Sequence, residues 1–127
     1  MSMSKEVNEV LASLEKTVKG IHSTTGNDPN LQVKWLPTLI DPLDYILGGG
    51  LPYGRTILIK GDFSSGKTYL CQKIFAAAQK QGKLCAFDDV EKTFDPAWFK
   101  ITGVNLEELI VAQPGSGEEA LEVALAL

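Results

Sequence analysis

Eight consecutive residues, 61–68, combine two glycines, a lysine and a threonine at a spacing that suits phosphate chemistry. In order they are Gly61, Asp62, Phe63, Ser64, Ser65, Gly66, Lys67 and Thr68, which fits the pattern G-x-x-x-x-G-K-[ST]. Such glycines let backbone N–H groups curl around a triphosphate, while Lys67 supplies charge for the β and γ oxygens and the Thr68 hydroxyl can ligand Mg²⁺. The pattern therefore predicts a nucleotide-binding loop. The alternative interpretation is a glycine turn that merely precedes a helix.

Acidic residues follow the next apolar run along the chain. Residues 84–87 are succeeded by Asp88, Asp89 and Glu91. At the end of a parallel strand, side chains face a ligand held by the neighbouring strand's loop, so a carboxylate there can orient and deprotonate a water for attack on a γ-phosphate. We predict this role for Glu91, together with Lys67 and Mg²⁺. In two alternatives, Asp88 holds the Mg²⁺ ion, or the acidic residues only solvate a strand end.

The elements around the loop are expected to form a parallel α/β unit. Residues 56–59 are predicted to be a buried strand, and residues 67–81 a helix that Gly82 ends. The apolar stripe expected on this helix comprises Leu70, Cys71, Ile74, Phe75 and Ala78. The strand at 84–87 follows the first after about 30 residues, the length of a right-handed βαβ unit, and residues 109–112 are a third strand.

Capping residues mark the starts of three further helices. Asp41 is expected to cap a helix over residues 41–47, and Asp95 to cap a shorter one. Ser116 and Glu119 have the spacing of a capping box, in which each side chain bonds to backbone N–H groups of the first turn. These caps place the remaining helices before, between and after the predicted strands.

The first thirty residues are predicted to be an arm that precedes the core. Apolar residues recur at steps of three and four through 5–19, which indicates one amphipathic helix. Residues 22–30 lose this periodicity and concentrate turn formers, so we interpret them as a linker. We therefore expect a helical arm and linker over residues 1–30 and an ATPase core over residues 31–127. The apolar stripe of the arm suits either packing on the core or docking to another subunit.

Composition and charge restrict the class of protein. With 127 residues, 44% of them hydrophobic and 22% charged, the chain matches one soluble globular domain, and its apolar runs are too short to span a membrane. Because the N-terminus lacks the features of a secretory signal, we expect a cytoplasmic location. A net charge of −4 suits a polyanion poorly, so these residues alone are not expected to hold DNA. The last helix reaches Leu127 without a C-cap, from which we expect a truncated core.

Beyond the loop, the chain resembles bacterial RecA-type recombinases. The similar runs, in order along the sequence, are residues 43–55, 64–68, 77–83, 85–87, 89–91, 95–96, 103–106, 113–114 and 117–121. The resemblance implies an α/β fold of the P-loop NTPase class, with a RecA-like parallel sheet that is incomplete here and preceded by an N-terminal helix. It also implies ATP and Mg²⁺ as cofactors, and filaments on single-stranded DNA that serve homologous recombination and DNA repair.

The resemblance also sets expectations for partners and activity. It implies self-association through the N-terminal helix and contact with single-stranded DNA through regions absent from this chain. The family's magnesium-associated Asp, its polar sensor and its DNA-binding loops fall after the last residue matched. We therefore expect weak nucleotide binding, and little or no ATPase or strand-exchange activity, from residues 1–127 alone.

Carried over by position, the family's catalytic glutamate falls on Glu91, and its adenine-contacting Asp and aromatic residue fall on Asp95 and Trp98. Stacking of adenine on an indole ring is physically reasonable. For Trp98 the alternative is a helix side chain that packs on the sheet. The expected nucleotide-binding set also includes residues 61–68 and Tyr69.

The sequence departs from the family pattern at several positions. Asp62 and Phe63 replace the usual Pro-Glu, Tyr69 stands where a small hydroxyl residue is usual, and Lys92 stands where His is common. Nucleotide binding is expected to survive these changes because backbone N–H groups make the cradle. Phe63 and Lys92 lie close to where signals from a neighbouring subunit or DNA would pass.

Other functions are compatible with the same loop. One alternative is another ATPase of this fold, such as a hexameric helicase or a clock-type ATPase. The other is a non-catalytic interaction fragment made of the arm and the nucleotide site.

Overall fold

The computed structural model describes residues 3–127 and divides the chain into two compact units, one that ends at Val33 and one over Lys34–Leu127. The predicted division into a helical arm with linker over residues 1–30 and an ATPase core over residues 31–127 stays a prediction. Within the described residues, no helix is both long enough and apolar enough to cross a membrane.

The first unit consists of a helix and a short return of the chain along it. Helix α1 spans Met3–Thr17, so it begins and ends earlier than predicted. After the helix, Ser23 Oγ donates to Leu11 O at 3.3 Å and Ser23 N donates to Glu15 Oε1 at 3.3 Å. A 3₁₀ turn over Pro29–Leu31 follows. The segment predicted as a linker is therefore tied to the helix by its own side chains.

A small antiparallel pair and a short helix open the second unit. Strands β1 (Trp35–Leu36) and β2 (Leu51–Pro52) pair antiparallel, and helix α2 (Asp41–Leu47) lies between them in the chain. The prediction that Asp41 caps this helix is wrong. The cap position is Ile40, whose side chain makes no capping hydrogen bond.

The carboxylate of Asp44 binds the chain segment that precedes the helix. Its Oδ1 accepts hydrogen bonds from Thr38 N at 2.8 Å and Thr38 Oγ1 at 2.7 Å, and its Oδ2 accepts one from Leu39 N at 3.1 Å. Burial would raise the pKa of the Asp44 carboxyl, but the bonds from Thr38 and Leu39 together hold it below its ordinary value. A residue of helix α2 thus holds the turn that precedes the helix.

Two parallel strands form the sheet of the second unit. Strand β3 (Cys85–Asp88) pairs parallel with strand β4 (Leu109–Ala112), with Cys85 opposite Leu109 and Asp88 opposite Ala112. This pairing confirms the predicted parallel arrangement, with β3 one residue further along than expected. Because parallel strands point the same way, the residues that follow Asp88 and Ala112 emerge at one edge of the sheet.

Three helices accompany the strands, and all three begin as predicted. They are α3 (Lys67–Lys80), α4 (Pro96–Ile101) and α5 (Gly117–Ala126). Asp95 caps α4 by accepting from Ala97 N at 2.9 Å, and Ser116 caps α5 by accepting from Glu119 N at 3.2 Å. Glu119 in turn accepts from Gly115 N at 2.6 Å, one residue before the cap, so it binds the N-terminal approach to the helix rather than the Ser116 N–H of a strict capping box.

Residues 56–59 are not a strand, so this prediction is wrong. Leu58 is 80% exposed and Ile57 is 43% exposed. A strand needs a neighbour for its N–H and C=O groups, and among residues 3–127 the strands β3 and β4 pair only with each other. The apolar run that precedes the phosphate loop therefore has no sheet to join within the described chain.

The core is a cluster of aromatic rings beneath helix α3. Phe99 is only 2% exposed and packs with Ala76 and Val104. The ring centroids of Phe94 and Phe87 lie 4.6 Å and 5.1 Å from that of Phe99, distances at which aromatic pairs attract. This cluster joins α3, β3 and α4, and so it supports the two segments that bear the candidate site.

Helix α3 confirms the predicted stripe only in part, because Phe75 of that stripe packs against the core cluster but is not fully buried. Its fully buried residues are Gln72, Ala76, Ala77 and Ala78, so Ala78 alone of the predicted stripe is fully buried. Small side chains let a helix backbone approach its neighbours closely, and the Phe99 ring fills the space beside Ala76. The periodicity predicted the helix correctly. It also predicted that the larger side chains face the core, whereas most of the fully buried residues are alanines.

The central position of Phe99 leads to a stability prediction. Replacement Phe99→Ala is expected to lower the free energy of unfolding by about 3–5 kcal/mol, because it removes a buried ring and leaves a cavity. Trp98→Ala is the matched control, since Trp98 is the adjacent aromatic residue and is 59% exposed. Its effect should be about 1 kcal/mol or less. Urea denaturation followed by circular dichroism measures both, and equal losses in the two variants would contradict the core described here.

Candidate functional site

The phosphate loop is folded into a compact curl that two backbone positions make possible. Ser64 and Gly66 have left-handed backbone angles, with φ of 58° and 87°. Ser65 N donates to Asp62 O at 3.2 Å and closes the turn. A Cβ atom at Gly61 would collide with Ser65 Oγ, so any larger residue there would require the Ser65 hydroxyl to move. Alternation of left- and right-handed residues turns successive N–H groups toward one concavity.

Four consecutive amides at the start of helix α3 have no acceptor among the described residues. They belong to Gly66, Lys67, Thr68 and Tyr69, and the first intrahelical bond is donated by Leu70 N to Gly66 O at 2.9 Å. No side chain caps this helix. Unpaired N–H groups and the helix dipole both favour an anion at this position.

Lys67 lies at the mouth of the loop. Its Nζ donates to Gly61 O at 3.0 Å and to Asp62 O at 2.8 Å. These carbonyl groups hold the ammonium beside the free amides, where incoming phosphate oxygens would meet it. A carbonyl is a weaker partner for a cation than a phosphate oxygen, so Lys67 can exchange one for the other.

An open groove of about 480 Å³ joins the loop to one acidic residue. It is lined by residues 63–69, Glu91 and Thr93. The structure thus brings the predicted base, Glu91, to the predicted phosphate site although the two are far apart in sequence. Phe63 and Tyr69 form part of the rim and are 98% and 56% exposed.

Asp95 and Trp98 do not line this groove. Asp95 Oδ1 accepts from Ala97 N at 2.9 Å and from Trp98 N at 3.3 Å, so the side chain has a structural role at the start of α4. The indole of Trp98 is 59% exposed, and it is therefore not buried on the sheet. Contact of either residue with adenine stays a prediction.

The three acidic residues at the end of β3 have different surroundings. Asp89 is buried, Glu91 is exposed and Asp88 is half-buried. Asp89 accepts hydrogen bonds from Thr93 N at 2.9 Å, Phe94 N at 2.9 Å and Gln113 Nε2 at 3.0 Å. Asp89 is therefore a structural residue, whereas Glu91 is left to face the groove.

Asp88 offers an oxygen that the described residues do not satisfy. Its Oδ1 is buried and has no hydrogen-bond partner within residues 3–127. The described residues contain no cluster of three or more His, Cys, Asp or Glu side chains that could hold a metal ion by themselves. A Mg²⁺ ion at this site would therefore take most of its oxygen ligands from phosphate and water. From the protein it would take the hydroxyl oxygen of Thr68. Asp88 as a ligand stays the alternative prediction.

Sequence reasoning missed Thr93 and the role of Asp89. Thr93 lines the groove and also donates to Asp89 through its backbone N–H. Asx turns join an Asp side chain to the backbone two residues on, whereas Asp89 binds the N–H groups four and five residues on. The sequence therefore held no local signal that would single out Asp89 among the adjacent acidic residues.

A glycine loop with unpaired amides, leading into a helix beside a parallel strand pair, defines a P-loop protein. A family model described as the RecA N-terminal domain matches residues 5–127. A protein named RecA from Rickettsia bellii (strain RML369-C) is 48% identical over 122 residues, which cover 94% of this chain and 36% of the relative. RecA proteins of Marinobacter nauticus and Rickettsia prowazekii are each 45% identical over 94% of this chain and 35% and 36% of their own lengths.

The chain therefore belongs to the RecA N-terminal domain family, which confirms the resemblance seen in the sequence. The incomplete α/β core preceded by a helix is likewise confirmed. The chain spans about a third of the length of these curated relatives, 36% of the Rickettsia bellii protein. None of these matches favours a helicase or a clock-type ATPase.

The inward carboxylate of Asp89 leads to a prediction about acid stability. Burial would raise the pKa of Asp89, but hydrogen bonds from Thr93, Gln113 and Phe94 outweigh it and hold the pKa below the ordinary value of 3.8. A lowered pKa in the folded state contributes stability that is complete above about pH 4 and is lost as the pH falls toward the folded value. The melting temperature should therefore fall on acidification below about pH 4.

Substitution of Asp89 distinguishes its contribution to acid stability from that of the other carboxylates. The fall should be smaller in Asp89→Asn, which is also less stable at neutral pH because an amide N–H₂ would face N–H donors. Glu91→Gln is the control, since this exposed residue should leave the acid profile as in the parent chain. Thermal melts by circular dichroism between pH 7 and pH 2.5 test this. An unchanged profile in Asp89→Asn would contradict it.

Proposed function

We propose that the chain is the ATP-binding part of a DNA recombinase that forms filaments on single-stranded DNA for homologous recombination and DNA repair. One observation carries the proposal: Glu91 and Lys67 line a single groove with four unpaired backbone amides. This arrangement offers charge, N–H donors and a carboxylate at the places where a γ-phosphate and its attacking water need them. Membership of the RecA N-terminal domain family supports it.

The proposed roles divide binding from hydrolysis. The amides of residues 66–69 and the Lys67 ammonium hold the β- and γ-phosphates, while the Thr68 hydroxyl contributes to Mg²⁺. Glu91 orients and deprotonates the water for in-line attack, because it is exposed to the groove and makes no hydrogen bond or ion pair among the described residues. When bound, Mg²⁺ neutralises charge that develops on the phosphate oxygens.

Adenine is proposed to lie on the side of helix α4. Trp98 presents an exposed indole face on this helix, and Asp95 stands at its first turn. Stacking on Trp98 would bury apolar surface of both rings. The second carboxylate oxygen of Asp95 makes no hydrogen bond among the described residues, so it can accept one from the adenine amino group.

Partners are proposed from the exposed faces and the charge. On helix α1, Val10 is 58% exposed and Leu14 is 42% exposed, and with neighbouring apolar residues they form a stripe suited to self-association. A net charge of −4 makes this chain alone a poor ligand for a polyanion. We therefore assign contact with single-stranded DNA to the regions that the longer relatives possess. We also propose a cytoplasmic location, because the DNA on which a bacterial recombinase acts lies in the cytoplasm.

Nucleotide binding is the first test of the proposal. The chain is expected to bind a fluorescent ATP analogue with Mg²⁺, and Lys67→Ala should weaken binding by about 10- to 100-fold, the effect of losing one charged hydrogen-bonding group. Glu91→Gln serves as the control and should bind as the parent does, because Glu91 acts on water. A fluorescence titration gives the three dissociation constants. Equal affinity of the parent and Lys67→Ala would refute the site.

DNA-dependent hydrolysis is the second test. In a protein that continues this chain to the length of its relatives, ATP hydrolysis should rise on addition of single-stranded DNA. Glu91→Gln should reduce the stimulated rate by about 100-fold or more, the usual contribution of a general base, without loss of nucleotide affinity. Phosphate release measured with and without DNA reports both quantities. Hydrolysis indifferent to DNA would favour another ATPase of this fold.

A further inference from the structure

The backbone sets the position of Glu91, because no hydrogen bond or ion pair within residues 3–127 fixes its side chain. The carboxylate makes no hydrogen bond or ion pair within residues 3–127, and the adjacent Val90 is 47% exposed. Lys92, on the other side, has φ of 56°, a left-handed angle that is costly for a residue with a side chain. Some other interaction must hold the loop in this conformation.

Asp89 provides that interaction from beneath the loop. Its Oδ1 accepts from Thr93 N at 2.9 Å and its Oδ2 accepts from Phe94 N at 2.9 Å, so both oxygens bind the far end of the loop. Its carbonyl oxygen accepts from Lys92 N at 3.2 Å. The side chain is 2% exposed, so water cannot readily replace these donors. Asp89 therefore stands at one end of the loop and binds its other end, with Glu91 between the two. We call this set of hydrogen bonds the clamp.

A second element ties this clamp to the sheet. Gln113 directly follows β4, and its Nε2 donates to Asp89 Oδ2 at 3.0 Å. Asp89 N donates to Ala112 O at 2.8 Å, which extends the parallel pairing by one further bond. The clamp is therefore fixed to the end of β4 through both backbone and side chain. A change at Gln113 would reach Glu91 although the two residues make no contact.

We propose that Asp89 and Gln113 are positioning residues that hold Glu91 over the phosphate groove, acting through the loop of residues 89–94. The inference rests on the function proposed above for Glu91. An ionised carboxylate suits this place because it only accepts hydrogen bonds and meets only donors. Gln113 orients the carboxylate, since its amide is the one side-chain donor from outside the loop among the described residues.

The test compares two ligands that differ only at the position of the γ-phosphate. The chain is titrated with Mg·ADP, and with Mg·ADP plus fluoroaluminate, which mimics the transferring phosphoryl group and its in-line water. Only the second ligand should gain from a well-placed Glu91. The preference for fluoroaluminate is the ratio of the two dissociation constants, and it needs no turnover of ATP.

Gln113→Leu is expected to reduce this preference about tenfold with unchanged affinity for ADP, the size of one lost hydrogen bond to a charged group. Glu91→Gln should reduce it similarly, and the double variant should lose no more than Glu91→Gln alone. Gln79→Leu is the matched control: Gln79 binds the backbone of Asn105 at 2.9 Å through both amide atoms, so its loss affects stability but not the preference.

Each outcome decides the inference. Independent, additive losses in the double variant, or equal loss of ADP and fluoroaluminate affinity in Gln113→Leu, would show a merely structural role and overturn it. A parent chain that binds ADP without any preference for fluoroaluminate would overturn it as well. Failure of the parent to bind ADP at all would instead reject the proposed nucleotide site, which keeps the two failures apart.

Discussion

Four backbone amides without acceptors at the start of helix α3 are the constraint on which the candidate site depends. The first four N–H groups of any α-helix lack an intrahelical acceptor. Here they lie in a curl of fixed conformation beside a lysine ammonium, an arrangement that favours an anion. The left-handed angles at Ser64 and Gly66 maintain the curl. The ammonium of Lys67 lies beside the row and adds a positive charge. An anion with several oxygens satisfies all of these groups at once.

The rest of the second unit brings a carboxylate to that anion site. The parallel pairing of β3 with β4 sends both chain segments out at one edge of the sheet. There Asp89 turns inward and is buried, whereas Glu91 is exposed and lines the groove. The aromatic cluster around Phe99 joins the helix that follows the phosphate loop to the strand that precedes Glu91. Packing in the core thereby sets the geometry of the groove.

Much of this arrangement could be predicted from the sequence, because it depends on local chemistry. The phosphate pattern, the caps at Asp95 and Ser116 and the strand at 109–112 are all encoded in short stretches of residues. The errors concern tertiary context. Residues 56–59 have the composition of a strand, yet a strand needs a partner, and composition does not reveal whether one is present. Asp41 does not cap α2; instead Asp44, within the helix, binds the preceding segment at Thr38, a contact that a capping pattern does not predict. The inward-facing Asp89 binds Gln113, a residue distant in sequence, so local patterns could not single it out.

The central claim is that the free amides of residues 66–69 receive the phosphates of ATP, and amide NMR tests it at the level of single residues. Addition of Mg·ATP to the ¹⁵N-labelled chain should shift the N–H resonances of Gly66, Lys67, Thr68 and Tyr69 strongly, whereas AMP, which lacks the β- and γ-phosphates, should shift them little. Resonances of these four amides that remain in place while others move, or that respond equally to AMP, would contradict the account.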